Sequence, residues 1–308
     1  MRHAMMAMVL LLAAPQFAAA EDSPEWKTCV SLTEAAPGRV AACTAVIDAK
    51  SESGRRLAAA YCNRGHGLTE MRELDRALGD LDEAIKLDPG YACAHNNRGR
   101  VYAFKRDYER AIADYDAAIR LDAKFALAYN NRGDAWYGKG DRARAIADFT
   151  TAIKLNPKLP LAYGNRGFAY YEMRDTKRAI ADFSEQIRLA PNVLAYINRG
   201  NAFRDSEQLD RAAADYSAVI KLAPDDARGW RNRAVIWLFK GDNARGIADY
   251  DTAIKLDPKD AISYSNRGHA KLRLRDRAGA IADFKTALEL RPDLRTASEA
   301  LQQLGAAQ

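Results

Sequence analysis

The residues best able to make directed polar contacts in this chain arrive as a repeated triplet. Asn63-Arg64-Gly65, Asn97-Arg98-Gly99, Asn131-Arg132-Gly133, Asn165-Arg166-Gly167, Asn198-Arg199-Gly200 and Asn266-Arg267-Gly268 spell it, and Asn232-Arg233-Ala234 is a copy with Ala for Gly. Successive copies stand 34, 34, 34, 33, 34 and 34 residues apart. A carboxamide offers one acceptor and two donors, so each Asn can bond both the N–H and the C=O of an extended peptide, whatever that peptide's side chains. Sixteen residues after each Arg stands an Asp: Asp80, Asp114, Asp148, Asp182, Asp215, Asp249 and Asp283. Guanidinium and carboxylate at a fixed spacing make bidentate, charge-assisted pairs. This is chemistry of recognition and register.

Nothing in the sequence points to bond making. No phosphate-cradling Gly loop, nucleophile elbow or Ser/Cys–His arrangement occurs. His66 and His269 each follow a triplet glycine and have no nucleophile nearby. Cys29, Cys43, Cys62 and Cys93 lack zinc-ligand spacing, and the His residues are scattered. The chain reads as non-catalytic, with no cofactor and no metal.

The elements that must position the triplets are helices. Twelve residues or so beyond each triplet comes a second phrase of the form Ala-Ile-Ala-Asp-aromatic, spelled out in full at Ala111–Tyr115, Ala145–Phe149 and Ala179–Phe183, and then an ending such as Ile153-Lys154-Leu155-Asn156-Pro157. Within each half, apolar residues recur at steps of three and four, the mark of amphipathic helices. Polar breaks near Gly140, Asp175 and Gly241 divide the halves into a hairpin, and the closing Pro stops the second helix. Arg132 and Asp148 are equidistant from the turn at Gly140, so they lie level in an antiparallel pair. An Arg–Asp pair fixing helix register is expected in every repeat.

With these residues in hand, the chain resembles the tetratricopeptide repeat (TPR) family. The third copy carries the pattern: Tyr129-x2-Arg132-Gly133-x2-Trp136, then Ala145-x3-Phe149, then Pro157. The likeness runs over residues 58–294 in seven copies. It implies an all-α fold, a right-handed superhelical solenoid of antiparallel helix hairpins. Small Gly133 and Ala145 let the helices approach, while Trp136 and Phe149 fill the space between hairpins. Where the family usually has an apolar residue before the small Gly, this chain has Arg every time.

The resemblance also implies a concave groove lined by the first helices. There Asn63, Asn97, Asn131, Asn165, Asn198, Asn232 and Asn266 would form a ladder for a peptide backbone. Phe104, Tyr137, Phe168, Tyr171 and Phe239 would supply apolar pockets, and Arg228 and Arg231 a basic end suited to an acidic ligand terminus. The family's carboxylate clamp is not matched, since its Lys and Arg positions are here mostly Asn, Leu or Ile. The expected function is a protein- or peptide-binding scaffold or adaptor. Self-association into a homo-oligomer is the alternative.

The ends read differently from the repeats. Arg2 and His3, the apolar run Ala4–Ala14 and small Ala18 to Ala20 make residues 1–20 a signal peptide cleaved after Ala20, which places the protein in the periplasm or outside the cell. The run is too short to span a bilayer, so no stable membrane insertion follows cleavage. The net charge of +6 belongs to Arg residues spread at repeat spacing, so nucleic acid is not the expected partner. Residues 21–57 read as a degenerate capping hairpin and residues 295–308 as a capping helix, which solenoids need. Cys43 occupies the place of the core aromatic, and a Cys29–Cys43 disulfide would replace its packing. Four free core thiols are the alternative, and whether Cys62 pairs with Cys93 stays open.

Overall fold

The computed structural model describes residues 22–31 and 33–306, so the expected signal peptide over 1–20 lies outside the described residues. Every regular element there is a helix. In chain order these are α1 (Pro24–Cys29), α2 (Ala36–Asp48), α3 (Gly54–Glu70), α4 (Leu74–Leu87), α5 (Ala92–Phe104) and α6 (Tyr108–Leu121). Then follow α7 (Ala126–Gly138), α8 (Arg142–Leu155), α9 (Pro160–Glu172), α10 (Thr176–Leu189), α11 (Val193–Asp205) and α12 (Leu209–Leu222). The last are α13 (Ala227–Phe239), α14 (Asn243–Leu256), α15 (Ala261–Arg273), α16 (Arg277–Leu290) and α17 (Arg295–Gln303). They gather into two compact units, with the boundary between Val101 and Tyr102 inside α5.

In the second unit the hairpin turns that end in Asp107, Asp141, Asp175, Asp242 and Asp276 each use one residue for two jobs. After α7, Gly140 takes φ +87°, Gly140 N–H bonds Tyr137 C=O at 2.9 Å, and Asp141 N–H bonds Trp136 C=O at 2.9 Å. This 6→1 and 5→2 pattern closes a helix through a left-handed residue. Asp141 then caps α8, its carboxylate accepting from Arg144 N–H at 2.9 Å. Gly241 fills the same left-handed place before α14, but Arg106, Arg174, Glu207 and Arg275 fill it elsewhere.

The second unit's core is a column of aromatics on the second helices. Tyr115, Phe149, Phe183, Tyr216, Tyr250 and Phe284 are all buried. Gly133 faces one of them so closely that a Cβ there would sit 2.7 Å from the Phe149 ring, which is why the position is glycine. At the C-terminal end α17 seats Ala297, Ala300 and Leu301 against Ala280, Phe284 and Ala287. In the first unit Trp26, Cys29, Cys43, Val46 and Ala60 make a cluster of their own, and Cys29 and Cys43 are joined as a disulfide.

The Arg–Asp register pairs are present inside the hairpins. Arg64–Asp80, Arg132–Asp148, Arg166–Asp182, Arg199–Asp215, Arg233–Asp249 and Arg267–Asp283 each close two bonds of 2.7–2.9 Å through Nε and Nη2. These carboxylates are buried, not solvated. The remaining Nη1 reaches back to the preceding hairpin. It bonds Asp116 from Arg132, Thr150 from Arg166, Ser184 from Arg199, Ser217 from Arg233 and Asp251 from Arg267, at 2.6–3.1 Å. In the first unit Arg98 reaches Asp82 in the same way, at 2.8 Å. One side chain therefore fixes both the register within a hairpin and the seam between two. That explains why a guanidinium stands where an apolar residue would do.

Candidate functional site

The seven triplet asparagines do not share one environment. Asn97 is buried in the first unit, and its Nδ2 donates to Cys62 Sγ at 3.3 Å and Cys93 Sγ at 3.8 Å, so its amide is turned to the protein's own thiols. In the second unit Asn131 accepts from Asn130 Nδ2 at 3.3 Å, and Asn165 donates to Asn130 Oδ1 at 3.2 Å. At two seams the partner is the residue just before the previous repeat's Asn: Cys62 for Asn97 and Asn130 for Asn165. That column reads Cys62, Asn96, Asn130, Gly164, Ile197, Arg231 and Ser265.

At Gly164 the column has no side chain to receive Asn198, and a cavity of about 390 Å³ opens there. It lies wholly within the second unit. Asp134 and Tyr137 of α7, Leu161, Asn165 and Phe168 of α9, and Leu194 and Asn198 of α11 line it, with Gln186 of α10 and Phe149 of α8 behind. Its apolar rim is solvent-facing: Leu161 is 55% exposed, Leu194 57% and Phe168 39%. Tyr137 and Phe168 pack ring to ring with centroids 5.9 Å apart. Gln186 lies against Gly164, and its Oε1 is buried with no hydrogen-bond partner.

Charge at this cavity is sparse and one-sided. Asp134 has exposed surface, yet protein surrounds it closely enough that desolvation alone raises its carboxyl pKa. Tyr137 is pushed up to about 12, first by burial and then by Glu172. The Arg142 guanidinium lies 4.0 Å over the Tyr137 ring and bonds Glu172 at 2.9 Å, which holds that wall in place.

The other expected site residues lie apart. Tyr171 donates to Asp205 at 2.5 Å and lines a separate concavity with Arg142 and Glu172. Phe104 stands exposed at the end of α5, while Asn63 and Asn232 are half-buried on α3 and α13. Phe239 and Asn266 meet in a second cavity of about 230 Å³, with Val235, Leu238, Tyr250, His269 and Arg273. The expected basic end is already neutralised: Arg228 pairs with Asp226 at 2.6 Å and Arg231 with Asp260 at 3.1 Å. An acidic ligand terminus therefore finds no free cation at those two residues.

Leu161, Gly164, Gln186 and Leu194 went unread in the sequence. The signal was there: Gly164 interrupts a column of larger residues, and Leu127, Leu161 and Leu194 each stand four residues before their Asn, on the same helical face. Among the described residues no group of three or more His, Cys, Asp or Glu could hold a metal, and no helix is long and apolar enough to cross a membrane.

Comparison with known proteins agrees with this architecture. Tetratricopeptide repeat family models match residues 62–124, 97–160, 130–193, 197–261 and 261–294. The fold is similar to that of YrrB, a TPR protein with an unusual peptide-binding site, at 20% identity and TM-score 0.55 over 61% of this chain and 97% of that one. It is also similar to the C-terminal part of a TPR repeat-containing protein from Cytophaga hutchinsonii, at 18% identity and TM-score 0.64 over 78% and 99% of the two chains. PilF of Pseudomonas aeruginosa aligns at 20% identity and TM-score 0.59 over 65% and 92%. No curated protein matches the chain in sequence.

Proposed function

Because the chain belongs to the tetratricopeptide repeat family, whose fold commonly mediates protein interactions and is generally non-catalytic, we propose that it is a binding scaffold that holds an extended peptide at the Gly164 cavity. One apolar ligand side chain enters between Leu161, Phe168 and Leu194, and the carboxamides of Asn165 and Asn198 bond the peptide backbone beside it. The carrying observation is that cavity: exposed apolar walls around a missing side chain, flanked by two amides. Apolar pockets with a few placed polar groups are the usual form of a ligand site. YrrB supports the reading only through the shared fold.

The protein acts after export, in the periplasm or outside the cell. This reading rests on the signal-peptide pattern of residues 1–20, and the Cys29–Cys43 disulfide supports it, since such bonds persist in oxidising compartments.

A peptide library displayed on phage and selected on the purified protein tests the binding role. Selected peptides should share one apolar position and lose affinity for Phe168→Ala and Asn198→Ala variants that stay folded. Peptides that bind both variants as tightly as the parent would place the site elsewhere. If light scattering of the ligand-free protein gives a dimer that Phe168→Ala dissociates, the cavity serves self-association instead.

A further inference from the structure

Two cysteines of the first unit are not in a disulfide: Cys62, fully buried on α3, and Cys93, partly accessible on α5. They are in one cluster, because the Asn97 amide nitrogen lies 3.3 Å from one sulfur and 3.8 Å from the other. The two thiols also act directly on each other. Contact with Cys93 and then burial hold the proton on Cys62, while contact with Cys62 lowers the Cys93 pKa against the opposing effect of burial. Arg100 and Asn97 favour the Cys93 thiolate further. Arg100 is itself positioned by His66, whose Nε2 lies 3.0 Å from its guanidinium. A reachable sulfur that gives up its proton more readily, backed by a buried one that holds its proton, is the arrangement of a nucleophile and a resolving thiol.

We propose that Cys62 and Cys93 form a second, reversible disulfide by thiol–disulfide exchange, with Cys93 as the attacking sulfur. The Cys93 thiolate attacks one sulfur of a small-molecule disulfide and expels the other half as a thiolate. That thiolate takes the Cys62 proton, and Cys62 then attacks Cys93 Sγ and displaces the second half. Two protein thiols are oxidised to one disulfide, and one external disulfide is reduced to two thiols. The new bond would tie α3 to α5, as Cys29–Cys43 ties α1 to α2. This inference stands apart from the peptide-binding reading.

The test uses the full chain with Cys29–Cys43 intact, treated with oxidised glutathione, quenched in acid, denatured, and alkylated for intact mass. The wild type should lose both alkylatable thiols without retaining glutathione. Cys62→Ser should stop as a glutathione adduct on Cys93. Cys93→Ser should leave Cys62 unmodified while the protein is folded, as checked by circular dichroism. Two alkylated thiols in the treated wild type, or a wild type that stops at the adduct, overturns the proposal. So does rapid adduct formation on Cys62 in folded Cys93→Ser.

Discussion

Asp148→Ala gives the sharpest measure of how the repeats are held. Its carboxylate accepts from Arg132 Nε and Nη2 at 2.8 and 2.7 Å, and the two side chains are only 9% and 21% exposed. Removing one partner from a buried pair costs about 3–5 kcal/mol, mostly through the charge left behind. Here Arg132 keeps Asp116 at 2.6 Å and part of its hydration, so about 2–3 kcal/mol is expected. Arg132→Ala, Asp148→Ala and the double variant form a cycle whose coupling should exceed about 1.5 kcal/mol, above the 0–1 kcal/mol typical of exposed pairs. Arg188–Glu185, at 63% and 44% exposure, is the internal control and should couple by less than about 0.5 kcal/mol. The assay is urea unfolding followed by far-UV circular dichroism. Amide exchange in α7 and α8 should accompany it, because a repeat array need not unfold in one step. Coupling at Arg132–Asp148 no larger than in the control, with all variants folded, would refute the reasoning.

Gly164→Asn restores the side chain that Asn130 supplies to Asn165; its Cβ would sit 2.7 Å from the Gln186 amide, so Gln186 must swing aside, and circular dichroism checks that the variant stays folded. It should weaken a selected peptide by about 10-fold or more, the cost of losing one buried apolar side chain of about 1.5–3 kcal/mol, as read by calorimetry. Tyr250→Phe should cost less than Tyr216→Phe, because the buried Tyr250 hydroxyl faces Asn266 without closing a bond of good geometry. Tyr216→Phe should cost about 1 kcal/mol, because its hydroxyl donates to Asn201 at 2.7 Å. Paired thermal melts separate these two outcomes. His66 should titrate near pH 4, held down first by burial and then by Arg100. Its folded pKa is thus below the unfolded value near 6.5, so the stability present above pH 6.5 falls as pH drops toward 4. A His66→Gln variant should lose less stability over that window, and an NMR titration midpoint near 6.5 would contradict the assignment.

The hairpins and the Arg–Asp pairs were legible because both depend on spacing within one repeat. Arg132 and Asp148 are level across a turn whose place the glycine reveals. The seam contacts were harder, since their acceptors, Asp82, Asp116, Thr150, Ser184, Ser217 and Asp251, share only an oxygen at one position and no common residue type. The left-handed places of Arg106, Arg174 and Arg275 carry no sequence mark, because arginine has no preference for that conformation. The asparagines read as seven equal rungs since they are spelled alike. Their fates diverge through the residue a full repeat earlier: Cys62 holds Asn97, Asn130 holds Asn165, and Gly164 leaves Asn198 facing the cavity.

The backward reach of each arginine bears on how such an array changes over time. A joint that asks its neighbour for any oxygen at one place does not distinguish which copy is the neighbour. Within a compact unit, whole hairpins can therefore be gained, lost or swapped by unequal exchange without a matching change next door. Array length and the placement of cavities such as that at Gly164 can then vary separately, the first by whole modules and the second by single substitutions in the column facing the next asparagine.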